Sequence, residues 1–142
     1  MRSTARRRRG QATVEFALVL PLFVMLVLGV IDMGRAVYFY NGVSQAAREI
    51  ARATSLHPSD PLGVSPEALA VIDTQKKLVP GITSIVFHCE DTKGTTIPGD
   101  GSGGCAAPDV VRVEVHAKFA PAALLGLFGQ IDIASSSSNQ MQ

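Results

Sequence analysis

Arg6-Arg7-Arg8-Arg9-Gly10-Gln11-Ala12-Thr13-Val14-Glu15 leads directly into an apolar run, Phe16 to Ile31, that contains no charged residue. With the three residues Ala12 to Val14 in front of it, the run reaches the roughly 20 residues that a helix needs to cross a bilayer. We therefore predict a transmembrane helix that spans the lipid at about residues 14–31 and organises the rest of the fold around it.

Basic residues are unevenly distributed about this helix. Five arginines, Arg2 and Arg6 to Arg9, precede it, whereas Arg35 and Arg48 are the basic residues that follow closely. An excess of positive charge marks the cytoplasmic end of a membrane helix, so the N-terminus is predicted to be cytoplasmic and the chain after Asp32 extracytoplasmic. Residues 11–142 alone have 8 basic and 12 acidic residues, a formal charge of −4 that argues against a nucleic-acid partner.

Glu15 is a lone carboxylate at the start of the apolar run. An ionised side chain at a bilayer-embedded position costs up to about 3 kcal/mol even on lenient insertion scales, so a compensating cation is expected. If the chain were cut after Gly10, the new α-amino group of Gln11 would lie four residues before Glu15. That amine could pair with Glu15 on the same helical face or with Glu15 of a neighbouring subunit.

The glycine, the glutamate five residues later and the aromatic Phe16 form a pattern similar to the processing site of type IV prepilin-like proteins. A membrane-embedded prepilin peptidase cleaves those proteins after the glycine. The following segment resembles the TadE-like family of minor pilins from tight-adherence (Flp pilus) systems. Three stretches carry this resemblance: Glu15 to Val24, Gly29 to Arg35 and Ser44 to Ala53. Phe16 departs mildly from the family, in which many members have tyrosine there.

The resemblance implies a non-catalytic pseudopilin that assists or initiates Flp pilus assembly. It implies cleavage between Gly10 and Gln11, with Glu15 and Phe16 as the processing and assembly motif and with the glutamate used more for assembly than for cleavage. The expected location is the bacterial inner membrane, with entry into the pilus as a further option. The expected partners are a prepilin peptidase, other pilins and pseudopilins, the pilus assembly platform and membrane lipid. No cofactor and no small-molecule substrate are expected.

Three other interpretations of the N-terminus compete with this one. The basic residues and the apolar run could form an ordinary signal peptide, although Ile31 to Arg35 lacks a small-x-small cleavage site. The chain could be an uncleaved single-pass anchor that carries a periplasmic binding module. A small secreted enzyme is disfavoured, because His57, His88 and His116 belong to no nucleophile motif and the glycine-rich segment lacks the Lys-Ser/Thr of a phosphate loop.

Beyond the membrane the helix is predicted to continue, because apolar residues from Val37 to Ile50 recur at steps of three and four. A bend without a break is expected at Pro21. The proline-rich segment 55–66 predicts a loop, after which Ser65 as N-cap and Pro66 at the first position begin a second helix that stops near Pro80.

Three strands are predicted in the remainder. Ile82 to Cys89 is rich in β-branched and aromatic residues, and Val111 to Phe119 alternates strictly between apolar and polar or charged. A third strand begins at Ile131 and is expected to fade into a disordered Ser-rich tail. Segment 90–109 is predicted to be a glycine-rich loop, and segment 121–129 is predicted to be an apolar connection.

The predicted fold class is α+β: a long N-terminal transmembrane helix, continuing as an amphipathic helix, packs against a small antiparallel sheet. The predicted organisation has three parts. Residues 1–10 form a basic leader that is cleaved, residues 11–54 form the long helix, and residues 55–142 form a small extracytoplasmic domain.

Cys89 and Cys105 flank the glycine-rich loop. In a domain outside the cytoplasm, such a pair predicts a disulfide. A metal site is the competing interpretation, since His88 adjoins Cys89 and His116 lies on the next strand. However, neighbouring residues of a strand point to opposite faces and the chain has no Cys-x-x-Cys, so no metal site is predicted.

Overall fold

The computed structural model describes residues 4–57, 65–91, 93–97, 105, 109–122 and 129–141, with side chains described from Gly10 onward. These described residues form two helices followed by three strands. The elements are α1 (Thr4–Ser55), α2 (Pro66–Leu78), β1 (Ile82–Glu90), β2 (Val110–Phe119) and β3 (Ile131–Gln140). The predicted α+β class is confirmed. The three predicted connections, 55–66, 90–109 and 121–129, lie largely outside the described residues.

Helix α1 contains 52 residues and continues through Pro21 without interruption. At 1.5 Å per residue it is about 78 Å long. An 18-residue window within it is apolar enough to cross a membrane, and none of that window is buried inside the chain. The helix begins earlier than its predicted start, at Thr4, so the basic residues Arg6 to Arg9 form its first turns, as suits arginine's high helix propensity.

The sheet is antiparallel with strand order β1-β2-β3. Val113 at the centre of β2 pairs with Phe87 of β1 and with Ser137 of β3. The odd-numbered residues of β2 face α1, and Val111, Val113 and Val115 are completely buried, as are three residues of α1: Val43, Ala47 and Ile50. The apolar residues that alternate along β2 and those that recur every three or four residues along α1 thus pack in one core, as predicted.

The prediction of a disordered Ser-rich tail is wrong. Ser135 to Ser138 and Asn139 form part of β3, which pairs with β2 from Ile131 to Gln140. The Ser135 hydroxyl shares a hydrogen bond of 2.9 Å with the Ser44 hydroxyl on α1. Asn139 Nδ2 donates to Ser55 Oγ at the end of α1, also at 2.9 Å. These polar contacts join the edge strand β3 to the helix.

The second helix begins as predicted. Ser65 Oγ accepts a hydrogen bond from Ala68 N at 3.2 Å, and Pro66 occupies the first turn, where its missing N–H costs nothing. After α2 the chain turns at Gly81, whose φ is +114°. A Cβ built there would lie 2.7 Å from the carbonyl oxygen of Lys118, so only glycine allows β1 to start this close to β2.

Candidate functional site

Glu15 and Gln11 lie one turn apart on the exposed surface of α1. Gln11 Nε2 donates a hydrogen bond to Glu15 Oε1 at 3.2 Å. Phe16 beside them is 65% exposed. The predicted motif therefore lies entirely on the outside of the chain, where a lipid tail, a peptidase or another subunit could contact it.

Gly10 lies within α1 and is exposed. A Cβ built at this glycine would meet no atom within 4 Å. Packing within the chain therefore does not require glycine here, and neither does the backbone, since a helical position favours alanine by about 1 kcal/mol. A requirement for glycine at position 10 would therefore come from contacts with another molecule.

A second polar centre lies where α1 leaves the apolar run. Asp32 is only 6% exposed, and its Oδ1 accepts hydrogen bonds from Arg35 Nη1 at 3.1 Å and from the backbone N of Ala122 at 3.0 Å. The Arg35 guanidinium lies 5.8 Å from the centre of the Phe119 ring. Asp32 thus fixes the segment that follows β2 to the helix, next to the predicted membrane surface.

Sequence reasoning did not assign this role to Asp32. The available signal was an acid directly after the apolar run, with an arginine three residues later on the same helical face. That spacing indicates the ion pair. It does not indicate the contact with Ala122, which comes from a residue 90 positions away.

Cys89 and Cys105 form a disulfide, as predicted, with Cα atoms 5.8 Å apart. Both cysteines are buried and belong to the core that α1 and the sheet enclose. The bond closes a loop with a sequence separation of 16. In the chain-entropy model, closing a loop of this size stabilises a domain by about 3 kcal/mol.

Replacing both cysteines, Cys89→Ala with Cys105→Ala, should lower the free energy of unfolding of the oxidised protein by about 3 kcal/mol. Alanine avoids burying an unpaired hydroxyl, and the double change avoids a free thiol. Denaturant titration of the full chain in detergent micelles, with and without reductant, measures the effect. The reduced wild type is the matched control and should approach the variant. Equal stability of oxidised wild type and variant would exclude a stabilising disulfide.

The three histidines do not converge. His57 Nε2 lies 3.5 Å from a Glu67 carboxylate oxygen, and His116 Nε2 lies 3.4 Å from Glu114 Oε1 on the same strand. Among the residues that the structure describes, no group of three or more His, Cys, Asp or Glu side chains could hold a metal ion. Cys89, the metal ligand considered above, is in the disulfide.

A comparison with protein families matches residues 10–52 to the family described as TadE-like protein. The match starts at Gly10 and ends at Arg52, so it covers the apolar run, Glu15 and the amphipathic half of α1, but none of the sheet. No curated protein and no solved structure matches the chain. The resemblance predicted from the sequence is thereby confirmed for this part of the molecule: residues 10–52 form a TadE-like segment.

Proposed function

We propose that this protein is a TadE-like pseudopilin that assists or initiates assembly of Flp (tight-adherence) pili and has no catalytic activity. The family match over residues 10–52 supports this role. The single observation that carries it is an apolar window of α1 that no described part of the chain buries, with the exposed carboxylate of Glu15 at its start. Such a helix needs lipid or neighbouring helices around it, and its carboxylate needs a cation there.

In the proposed topology, α1 crosses the inner membrane at about residues 14–31 with Arg6 to Arg9 in the cytoplasm. The sheet and α2 then lie on the extracytoplasmic side. The Cys89–Cys105 disulfide supports this placement, because disulfides persist in oxidising compartments such as the bacterial periplasm.

Processing is proposed at the Gly10–Gln11 bond, which a prepilin peptidase hydrolyses. The cut removes the leader arginines and creates an α-amino cation on Gln11. Gln11 and Glu15 lie on the same face of α1, since the side-chain amide of Gln11 lies 3.2 Å from the Glu15 carboxylate. In the low dielectric of the membrane an amine paired with Glu15, in the same or an adjacent subunit, would be strongly attracted to it.

Mass spectrometry of the mature N-terminus tests this proposal directly. Chain isolated from cells that contain the peptidase should begin at Gln11, and chain from otherwise identical cells without the peptidase should begin at Met1. Met1 in both cell types would favour an uncleaved anchor that carries a periplasmic binding module. A terminus beyond Ile31 would instead indicate a secreted protein released by signal cleavage.

A further inference from the structure

A groove opens at the junction between α1 and the sheet domain. We call it the junction groove; its volume is about 580 Å³. This volume is within the range of small-ligand sites. The lining residues are Ile31, Gly34, Arg35, Tyr38 and Phe39 of α1, together with Pro80, Lys118, Phe119 and Ala120.

The depth of the junction groove follows from the position of its residues on α1. With the lipid span ending at about Ile31, Gly34 lies about 4.5 Å and Tyr38 about 10.5 Å farther along the helix axis. The polar headgroup layer on each side of a bilayer is roughly 5 to 7 Å thick. The groove therefore begins at the hydrocarbon boundary and extends through the headgroup layer.

The chemistry of the groove is apolar at its base and basic at its rim. The Phe39 and Phe119 rings lie 5.5 Å apart, and Phe119 is buried. The side chain of Arg35 is half exposed and that of Lys118 is exposed, and none of the described residues that line the groove is acidic. The Arg35 guanidinium has five N–H donors and contacts Asp32 through Nη1. Its other N–H groups can therefore donate to a second anion.

We propose that the junction groove binds the headgroup of an acidic phospholipid of the surrounding leaflet, an inference that rests on the proposed membrane span. Arg35 and Lys118 contact the phosphate and the additional negative charge of the headgroup. Ile31, at the hydrocarbon boundary, contacts the upper part of the acyl chains. The backbone of Tyr38, which is 83% exposed, lies just beyond the headgroup layer. Helical side chains lean towards the helix N-terminus, so the Tyr38 side chain is directed back to the interface, where aromatic side chains with a polar tip are favoured.

A lipid explains this groove better than a soluble anion does. The groove is continuous with the apolar run at Ile31, and its walls offer apolar surface that a free phosphate cannot use. Juxtamembrane cations strengthen binding of acidic lipid by about 1 kcal/mol each, which is about fivefold in affinity per cation.

Native mass spectrometry of the full chain, released from nanodiscs of mixed phosphatidylcholine and phosphatidylglycerol, tests the proposal. Wild type should retain phosphatidylglycerol in preference to phosphatidylcholine. Lys118→Gln should weaken this preference about fivefold, and Arg35→Gln with Lys118→Gln should remove most of it. Gly34→Leu should also remove it without changing the charge, because a Cβ at Gly34 meets no atom within 4 Å and the side chain can fill the groove.

The matched control is Arg48→Gln with Lys76→Gln, which removes two exposed cations outside the groove. It should keep the wild-type preference. An equal loss in this control, or full retention in Gly34→Leu, would overturn the proposal. So would displacement of the lipid by millimolar inorganic phosphate, which would indicate a free-anion site. Thermal melts confirm that each variant is folded, and Lys118→Gln leaves the Asp32–Arg35 pair intact.

Failure of the lipid-binding proposal and failure of the proposed pseudopilin function give different experimental results. A wild type that inserts into nanodiscs but shows no lipid preference overturns the lipid site and leaves the pseudopilin role standing. A wild type that does not insert at all overturns the membrane span, and both proposals fail with it.

Discussion

Replacing Glu15 with glutamine should abolish surface pili while the chain is still cut after Gly10 and still found in the inner membrane. Glutamine keeps the shape of the side chain and removes its charge, so insertion becomes equally or more favourable once no carboxylate has to leave water. A contact between Glu15 and the Gln11 amine of an adjacent subunit would lose its electrostatic attraction, which is strong in the low dielectric of the membrane. Complementation of a deletion strain, with electron microscopy of sheared pili, measures the effect.

Glu49→Gln is the matched control for this experiment. Glu49 is exposed on the same helix but lies beyond the apolar run, where water solvates its charge. The control strain should make normal pili. Normal piliation by the Glu15→Gln strain would mean that the carboxylate has no role in assembly, and the uncleaved anchored module would become the better interpretation.

Replacing Gly10 with valine should leave a chain about ten residues longer than the mature wild type in cells that contain the peptidase. Valine puts a branched side chain next to the scissile bond, where the peptidase must approach the backbone closely. The change does not disturb the fold, because a Cβ at Gly10 contacts nothing within 4 Å. Gel mobility and the mass of the N-terminal peptide give the result.

Gly29→Val makes the same change elsewhere on α1, and a Cβ at Gly29 also contacts nothing within 4 Å. This variant should be cut like wild type, which separates an effect at the cleavage site from a general effect on the membrane helix. If Gly10→Val also yields a mature chain that begins at Gln11, the cut after position 10 does not depend on glycine, and the proposed recognition of Gly10 by a prepilin peptidase is wrong.

The parts of the fold that were predicted correctly are those with strong local signals. Helix α1 follows from a charge-free apolar run and a three- and four-residue repeat, and β2 follows from strict alternation that ends at Phe119. Ser65 and Pro66 together mark the start of α2. In each case neighbouring residues determine the structure, so the sequence pattern is sufficient.

The start of β3 at Ile131 was predicted, but its continuation through the serines could not be predicted in this way. Serine has no strong preference for strands, and the contacts that hold β3 come from distant parts of the chain. Ser44 and Ser135 are 91 residues apart, and Ser55 and Asn139 are 84 residues apart. The bond from Ala122 to Asp32 is of the same kind. Contacts of this separation depend on the packed fold and leave no periodic trace in the sequence.

Because α1 has no break at the membrane surface, a force on the outer domain would be transmitted along the helix to its membrane-spanning part. In the proposed topology, a pull on the outer domain that raises the helix by one turn moves Glu15 about 5.4 Å towards the hydrocarbon core. Moving an ionised carboxylate into the hydrocarbon core costs up to about 3 kcal/mol of free energy. Neutralising Glu15 through a neighbouring subunit's amine would remove this cost, so extraction from the bilayer would be mechanically coupled to finding a partner.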